Sequence, residues 1–183
     1  MAKTTRKLLV GLAMVTAAAV PGVEASEGQA ATSETPIVPV QAMPRVRSDS
    51  PAVAALMLEA AARSITFRNL VDTINASDGI VYVSEGHCGH GVRACLVHTV
   101  TMAGPNRLLR VVVDTEKADW DLMGSVGHEL SHAVEVLSNP AVTSDVALVF
   151  FYRRGSGGGV FGDRFETKAA LRAGDMIRAE AQR

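Results

Sequence analysis

From Asp119 to Ser138, the residues Leu122, Val126, Leu130, Ala133 and Leu137 return every three to four positions, the spacing that gathers apolar side chains on one side of an α-helix. Ser50-Pro51 predicts another helix running to Arg63, because serine can cap the first free amides and proline fits the first turn. Ser64 is placed to cap a second helix, with Phe67, Leu70, Val71 and Ile74 as its apolar stripe and the break from Asn75 to Gly79 as its end. Ile80-Val81-Tyr82-Val83 predicts a strand. Ala94 to Met102 and Arg107 to Asp114 predict the two arms of a hairpin about Gly104-Pro105-Asn106. Two more helical runs follow: Ser144 to Arg154, which would carry Val146, Leu148, Val149 and Phe150 into the core, and Phe165 to Gly174. Together these elements predict one α+β domain over residues 50–183.

The helix from Asp119 to Ser138 contains His128-Glu129-Leu130-Ser131-His132, an H-E-x-x-H pattern. Residues four apart stand one turn above each other, so both imidazoles can reach one metal ion with Glu129 beside them. At a step of about 100° per residue, the two histidines fall well away from the middle of the apolar stripe. Gly124 and Ser125 would leave that side open, so the histidines are expected to face a cleft or water.

A tetrahedral zinc site of the catalytic kind takes a third protein ligand and keeps its fourth position for water. Ala133 to Ser138 carries neither the glycine nor the third histidine of a metzincin continuation, which leaves Glu135, Asp145 and Glu166. Glu135 shares the histidine side of the helix but sits about 10.5 Å along the axis from His128 at ~1.5 Å per residue, too far for all three to close comfortably on one ion. It would then orient a histidine or stand as a surface charge. Asp145 follows Asn139-Pro140 and Ser144, where its simplest role is to cap the next helix. Glu166 opens the last helical run, and Ala169, Ala170, Ala173 and Gly174 would let that helix come close to the histidines, which makes Glu166 the preferred ligand.

The histidine motif, followed by a glutamate at the start of a later helix and Ala170 four positions on, resembles the gluzincin branch of the zincin metallopeptidases. Val134-Glu135-Val136-Leu137 and Phe165-Glu166-Thr167 are also similar to segments of small secreted bacterial proteins of that type whose substrates are largely undefined. The resemblance covers roughly residues 107–175. It implies a zincin-like fold, with a small β-sheet packed on the H-E-x-x-H helix and a second glutamate helix, and it implies a peptidase.

Zinc held by His128, His132 and Glu166 would lower the pKa of a water toward ~7 and polarise a peptide carbonyl. Glu129 would act as general base and then pass the proton to the leaving amine. Tyr152, Arg153, Arg154, Arg172 and His98 are open candidates for stabilising the oxyanion. The alternative is a secreted zincin-scaffold protein that binds without turnover. A third possibility is an adapter that uses the alanine-rich first helix, residues 50–63, against a partner.

Lys3, Arg6 and Lys7, the apolar run from Leu8 to Val20, and Val23-Glu24-Ala25 together predict a secretory signal peptide over residues 1–25. The run is short for a membrane span, and no cysteine follows it to carry a lipid. The expected destination is the periplasm or the exterior, with a peptide or protein as substrate. Removing residues 1–25 takes the formal charge from −1 to −3, which gives no electrostatic case for nucleic acid. Residues 26–49, with Pro36, Pro39 and Pro44, predict an extended linker or, less simply, a pro-segment over the cleft. Cys88 and Cys95 are the only cysteines, and export favours a short disulfide between them over a second metal site with His87, His90 and His98. Gly155-Ser156-Gly157-Gly158-Gly159 lacks the lysine-serine pair of a phosphate loop and is expected to be a mobile loop near the cleft.

Overall fold

Val46–Arg47 (β1), Gly79–Glu85 (β2), Ala94–Leu96 (β3), Thr101–Ala103 (β4) and Asn106–Val113 (β5) form one mixed sheet. In this computed structural model, residues 44–89, 91–155, 160–161 and 164–183 are described. The predicted signal peptide, most of the predicted linker, His90 and residues 156–159 of the glycine-rich loop lie outside them. The sheet order is β1-β2-β5-β3, with β4 also on β5. β1 and β2 run parallel, as do β2 and β5, whereas β3 and β4 pair antiparallel to β5. β1 falls inside the span predicted as linker: Arg45 anchors it by accepting from the Val81 amide and by donating to Asn106 Oδ1 and Asn75 Oδ1.

Five helices complete the α+β architecture: Pro51–Arg63 (α1), Ile65–Asn75 (α2), Trp120–Leu137 (α3), Asp145–Gly155 (α4) and Lys168–Ala181 (α5). Ser50 caps α1, with Pro51 in its first turn, and Ser64 caps α2, both as the sequence predicts. Asp119 caps α3 by accepting from the Leu122 amide. Two short strands, Val160–Phe161 (β6) and Arg164–Phe165 (β7), pair antiparallel ahead of α5. Among the described residues no helix is long and apolar enough to cross a membrane.

The core lies between the sheet and the helices. Val81, Val83, Leu109, Val111 and Val113 from β2 and β5 are buried in one cluster with Phe67, Ile74 and the predicted stripe of α3. Arg107 is buried with them, at 2% exposure. Its guanidinium is paired with Asp78 and donates to the carbonyls of Val136, Leu137, Asn139 and Val142, so it closes the C-terminal end of α3 onto β5.

The predicted hairpin is only partly right. The tight turn after Ala103 is present, but its first arm is broken between β3 and β4. From Leu96 to Thr101 the chain takes five steps while its partners Val111 and Leu108 are three apart, so the strand bulges out of the ladder. The bulge is held from outside, because the Val100 amide donates to Asp145 Oδ1. In α4, Leu148 is buried and Tyr152 nearly so, but Val146 and Phe150 are exposed, contrary to the inward direction expected for both. Ser144 rather than Asp145 lies at the head of α4, with its hydroxyl accepting from the Ala147 amide.

α3 and α5 pack with almost nothing between them. A Cβ added to Gly127 would meet Ile177 Cδ1 at 2.1 Å, and one added to Gly124 would meet the Gly174 carbonyl at 2.9 Å. The Gly124 side of α3, expected to be open, is therefore filled by α5.

Candidate metal centre

α3 presents His128 and His132 on the side turned toward the start of α5. Their Nε2 atoms lie 3.2 Å apart, and Glu166 Oε2 lies 3.2 Å from His128 Nε2. One ligand atom from each of the three falls within 4.8 Å of the others, a group that could hold a metal ion. His132 is 4% exposed, so of the two surroundings expected for the histidines, a cleft or water, open water is ruled out for this one. Burial, with His132 close by, holds the His128 imidazole below its ordinary pKa, which leaves it neutral at pH 7 and able to offer a lone pair.

Glu166 is not helical. α5 starts at Lys168 with Thr167 as its cap, so Glu166 sits in the two-residue link between β7 and the helix rather than in the run predicted from Phe165. The reason is local: Thr167 Oγ1 accepts from the Ala170 amide, and a residue ahead of the cap is extended. Ala170, Ala173 and Gly174 are buried against α3 as the small-residue pattern suggested, whereas Ala169 is exposed.

Glu135 takes the orienting position, one of the two roles left open for it. Its Oε2 lies 3.0 Å from His132 Nδ1, and its Oε1 accepts from Thr167 Oγ1 at 2.5 Å. Burial works against the carboxylate, but these two bonds outweigh it and keep the Glu135 pKa below its ordinary value. A carboxylate on Nδ1 favours the proton on that nitrogen, which donates to it, and leaves the Nε2 lone pair to face a metal. Asp145 stands apart, bonded to Val100.

Glu129 lies beside the pair, its Oε2 accepting from the Leu96 amide at 2.8 Å. Burial pushes its pKa up to about 7, although His132 and the Leu96 bond pull the other way. A divalent cation alongside would lower that value again. The edge-strand position matters here. β5 is central in the sheet, and the strand beyond it on the Glu129 side is β3. Arg93 and Val97 turn their backbone groups toward β5, so Ala94 and Leu96 turn theirs outward, toward α3.

Four aromatic rings line the same side. Tyr152 stacks on Phe165 at 5.2 Å between centroids and meets the His132 ring edge-on at 5.6 Å. Its hydroxyl donates to the His132 carbonyl at 3.1 Å, and burial raises its pKa far above the ordinary tyrosine value. His98 packs on Phe165 with ring centroids 5.1 Å apart. Of the oxyanion candidates, Arg153, Arg154 and Arg172 are exposed, and Tyr152 is engaged in holding α3. The roles of Leu96, Thr167 and Tyr152 escape sequence reasoning, because a backbone amide, a hydroxyl and a core tyrosine carry no spacing signature.

Cys88 and Cys95 form a disulfide with Cα atoms 5.9 Å apart, which ties the segment after β2 to the middle of β3. His87 is largely exposed and paired with Asp114. Compared with known protein families, curated proteins and solved structures, the chain matches none.

Proposed function

We propose that this chain is a zinc-dependent metallopeptidase of the zincin type, with His128, His132 and Glu166 as ligands and Glu129 as general base. The observation that carries the reading is the convergence of two imidazoles and one carboxylate beside a buried glutamate. Ligand atoms on a tetrahedron with bonds of about 2.0–2.1 Å stand roughly 3.3–3.4 Å apart. Two of the three separations, 3.2 Å each, fit that spacing, the third lies within 4.8 Å, and the mixed nitrogen and oxygen donors suit zinc. Glu166, with its side chain 49% exposed, leaves one side of the group accessible.

Bound zinc would supply a Lewis-acid charge to the attacking water and the substrate carbonyl. Glu129 would take the proton from that water and deliver it to the leaving amine, its orientation set by the Leu96 amide. Glu135 would hold His132 with Nε2 turned to the ion. The outward amide and carbonyl of Ala94 and the outward carbonyl of Leu96 would offer an extended peptide backbone partners next to Glu129, the Leu96 amide being held by Glu129 itself. An oxidising compartment, periplasmic or extracellular, suits the Cys88–Cys95 bridge and the predicted signal peptide.

The test is to purify the chain lacking residues 1–25, measure zinc per molecule, and assay a mixed peptide library with wild type beside Glu129→Gln. One zinc, and cleavage that falls at least about 100-fold in Glu129→Gln while zinc stays bound, supports the peptidase. Zinc without cleavage of any peptide replaces it with a binding scaffold, and no zinc removes it.

A further inference from the structure

Glu166 is flanked by two residues that each reach the histidine helix. Phe165, on one side, stacks on Tyr152, whose hydroxyl holds the His132 carbonyl. Thr167, on the other side, has one hydroxyl proton and two lone pairs. The proton goes to Glu135 Oε1 at 2.5 Å and a lone pair takes the Ala170 amide at 3.1 Å.

We propose that Thr167 is a positioning residue: through Glu135 its hydroxyl fixes the His132 imidazole and ties the segment bearing Glu166 to α3. The proposal rests on the metal-binding role argued above. Glu135 alone could not set the ring firmly, since a glutamate three residues from its histidine on one helix keeps several rotamers. With Oε2 on His132 Nδ1 and Oε1 on Thr167, both oxygens are fixed and the carboxylate plane cannot turn. The link also works in the other direction. Glu166 has no helical phase to place it, and Thr167 is where its segment is hydrogen-bonded to the helix that carries both histidines. The two parts of the metal group, 34 residues apart between His132 and Glu166, thus share one hydrogen-bonded joint.

Capping and positioning can be separated, because Thr167 caps α5 whether or not Glu135 is present. Zinc affinity is measured by competition with a chromophoric chelator, and melting is measured in EDTA, for wild type, Thr167→Ser, Thr167→Val, Glu135→Ala and the double variant Thr167→Val/Glu135→Ala. Thr167→Ser, which keeps the hydroxyl, binds zinc within about twofold of wild type. Thr167→Val weakens zinc about tenfold or more when Glu135 is present and less than about twofold in the Glu135→Ala background, while the melting loss from the missing cap is similar in both. Thr167→Val that binds zinc as wild type does, or that weakens it equally in both backgrounds, overturns the positioning role. Wild type that binds no zinc overturns the metal-binding role instead, and with it the joint. Glu135→Ala keeps the cap, so a misfolded Thr167→Val leaves a second measurement: Glu135→Ala zinc affinity equal to wild type also overturns the proposal.

Discussion

The backbone amide of Leu96 points at Glu129, donating to its Oε2 across 2.8 Å from the outer edge of β3. One oxygen of the carboxylate is thereby fixed, and the other remains to take a proton. Leu96→Pro deletes this donor without removing a rung of the ladder to β5, since the pairing there runs through Arg93 and Val97. A hydrogen bond to a charged group contributes about 1.5–3 kcal/mol, so peptide cleavage should fall roughly 10- to 100-fold with zinc content unchanged. Leu96→Ala, which keeps the amide, should lose stability and little activity. Equal activity losses in the two variants would remove the bond from the mechanism.

The contact of α3 with α5 sets the distance from His128 to Glu166, and it depends on glycines. Gly124→Ala would place a methyl 2.9 Å from a backbone carbonyl of α5, which cannot rotate away. Gly127→Ala would strike the buried Ile177. Each should lose about 1–3 kcal/mol in urea unfolding, and Gly124→Ala should weaken zinc as well. Unfolding curves that overlay wild type would show that the helices part at no cost.

Arg107→Met should destabilise the fold by about 2–4 kcal/mol, because the Leu137 carbonyl loses its donor and Asp78 its cation, while the Val136 and Asn139 carbonyls are left with backbone amides alone. Arg107→Lys should recover only part of this, since a single ammonium cannot span Asp78 and the α3 carbonyls together. Recovery to wild-type stability with lysine would reduce the role of Arg107 to its charge.

Away from the metal group, Asp78, Asp119 and Glu180 are carboxylates through which acid should unfold the protein. The hydrogen bond and charge of Arg107 lower the Asp78 pKa; for Asp119 and Glu180 burial opposes the shift, but Arg93 and the Leu122 amide outweigh it at Asp119, and Ser64 and Thr66 at Glu180. Groups depressed in the folded state stabilise it fully above their unfolded pKa, near 4, and lose that contribution as pH falls through the folded values. The urea midpoint in EDTA should drop below about pH 4; between pH 7 and 5 Glu129, raised by burial, adds stability as pH falls and His128, lowered by burial, removes it, so the carboxylate loss is read below that window. Asp78→Asn should be less stable at pH 7 and show a shallower drop. A midpoint independent of pH down to 3 would mean that these pairs are formed equally in the unfolded chain.

Helical phase made α3 legible, because a stripe of Leu122, Val126, Leu130, Ala133 and Leu137 and a pair of histidines four apart are both local patterns. Local chemistry also marked the caps Ser50 and Ser64. What failed was long-range. The place of β5 in the sheet depends on which strands flank it, and its run of apolar residues is as compatible with a centre as with an edge. The burial of His132 follows from α4 and α5 folding over it, through Tyr152 and Thr167, and nothing near residue 132 announces that. Arg107 enters the sequence only as the start of a hairpin arm, and its burial depends on Asp78 and the end of α3 being brought to it.

Glu166 standing outside a helix gives the two halves of the metal group unequal tolerance to insertion and deletion. One residue added between His128 and His132 would swing one imidazole about 100° round the axis and scatter the pair. Residues added or removed between α4 and β6 would not turn either histidine about the α3 axis, provided that Phe165, Glu166 and Thr167 stay together with their contacts to Tyr152 and Glu135. Length variation in this protein is therefore expected to collect after α4, while the five residues from His128 to His132 keep a fixed count.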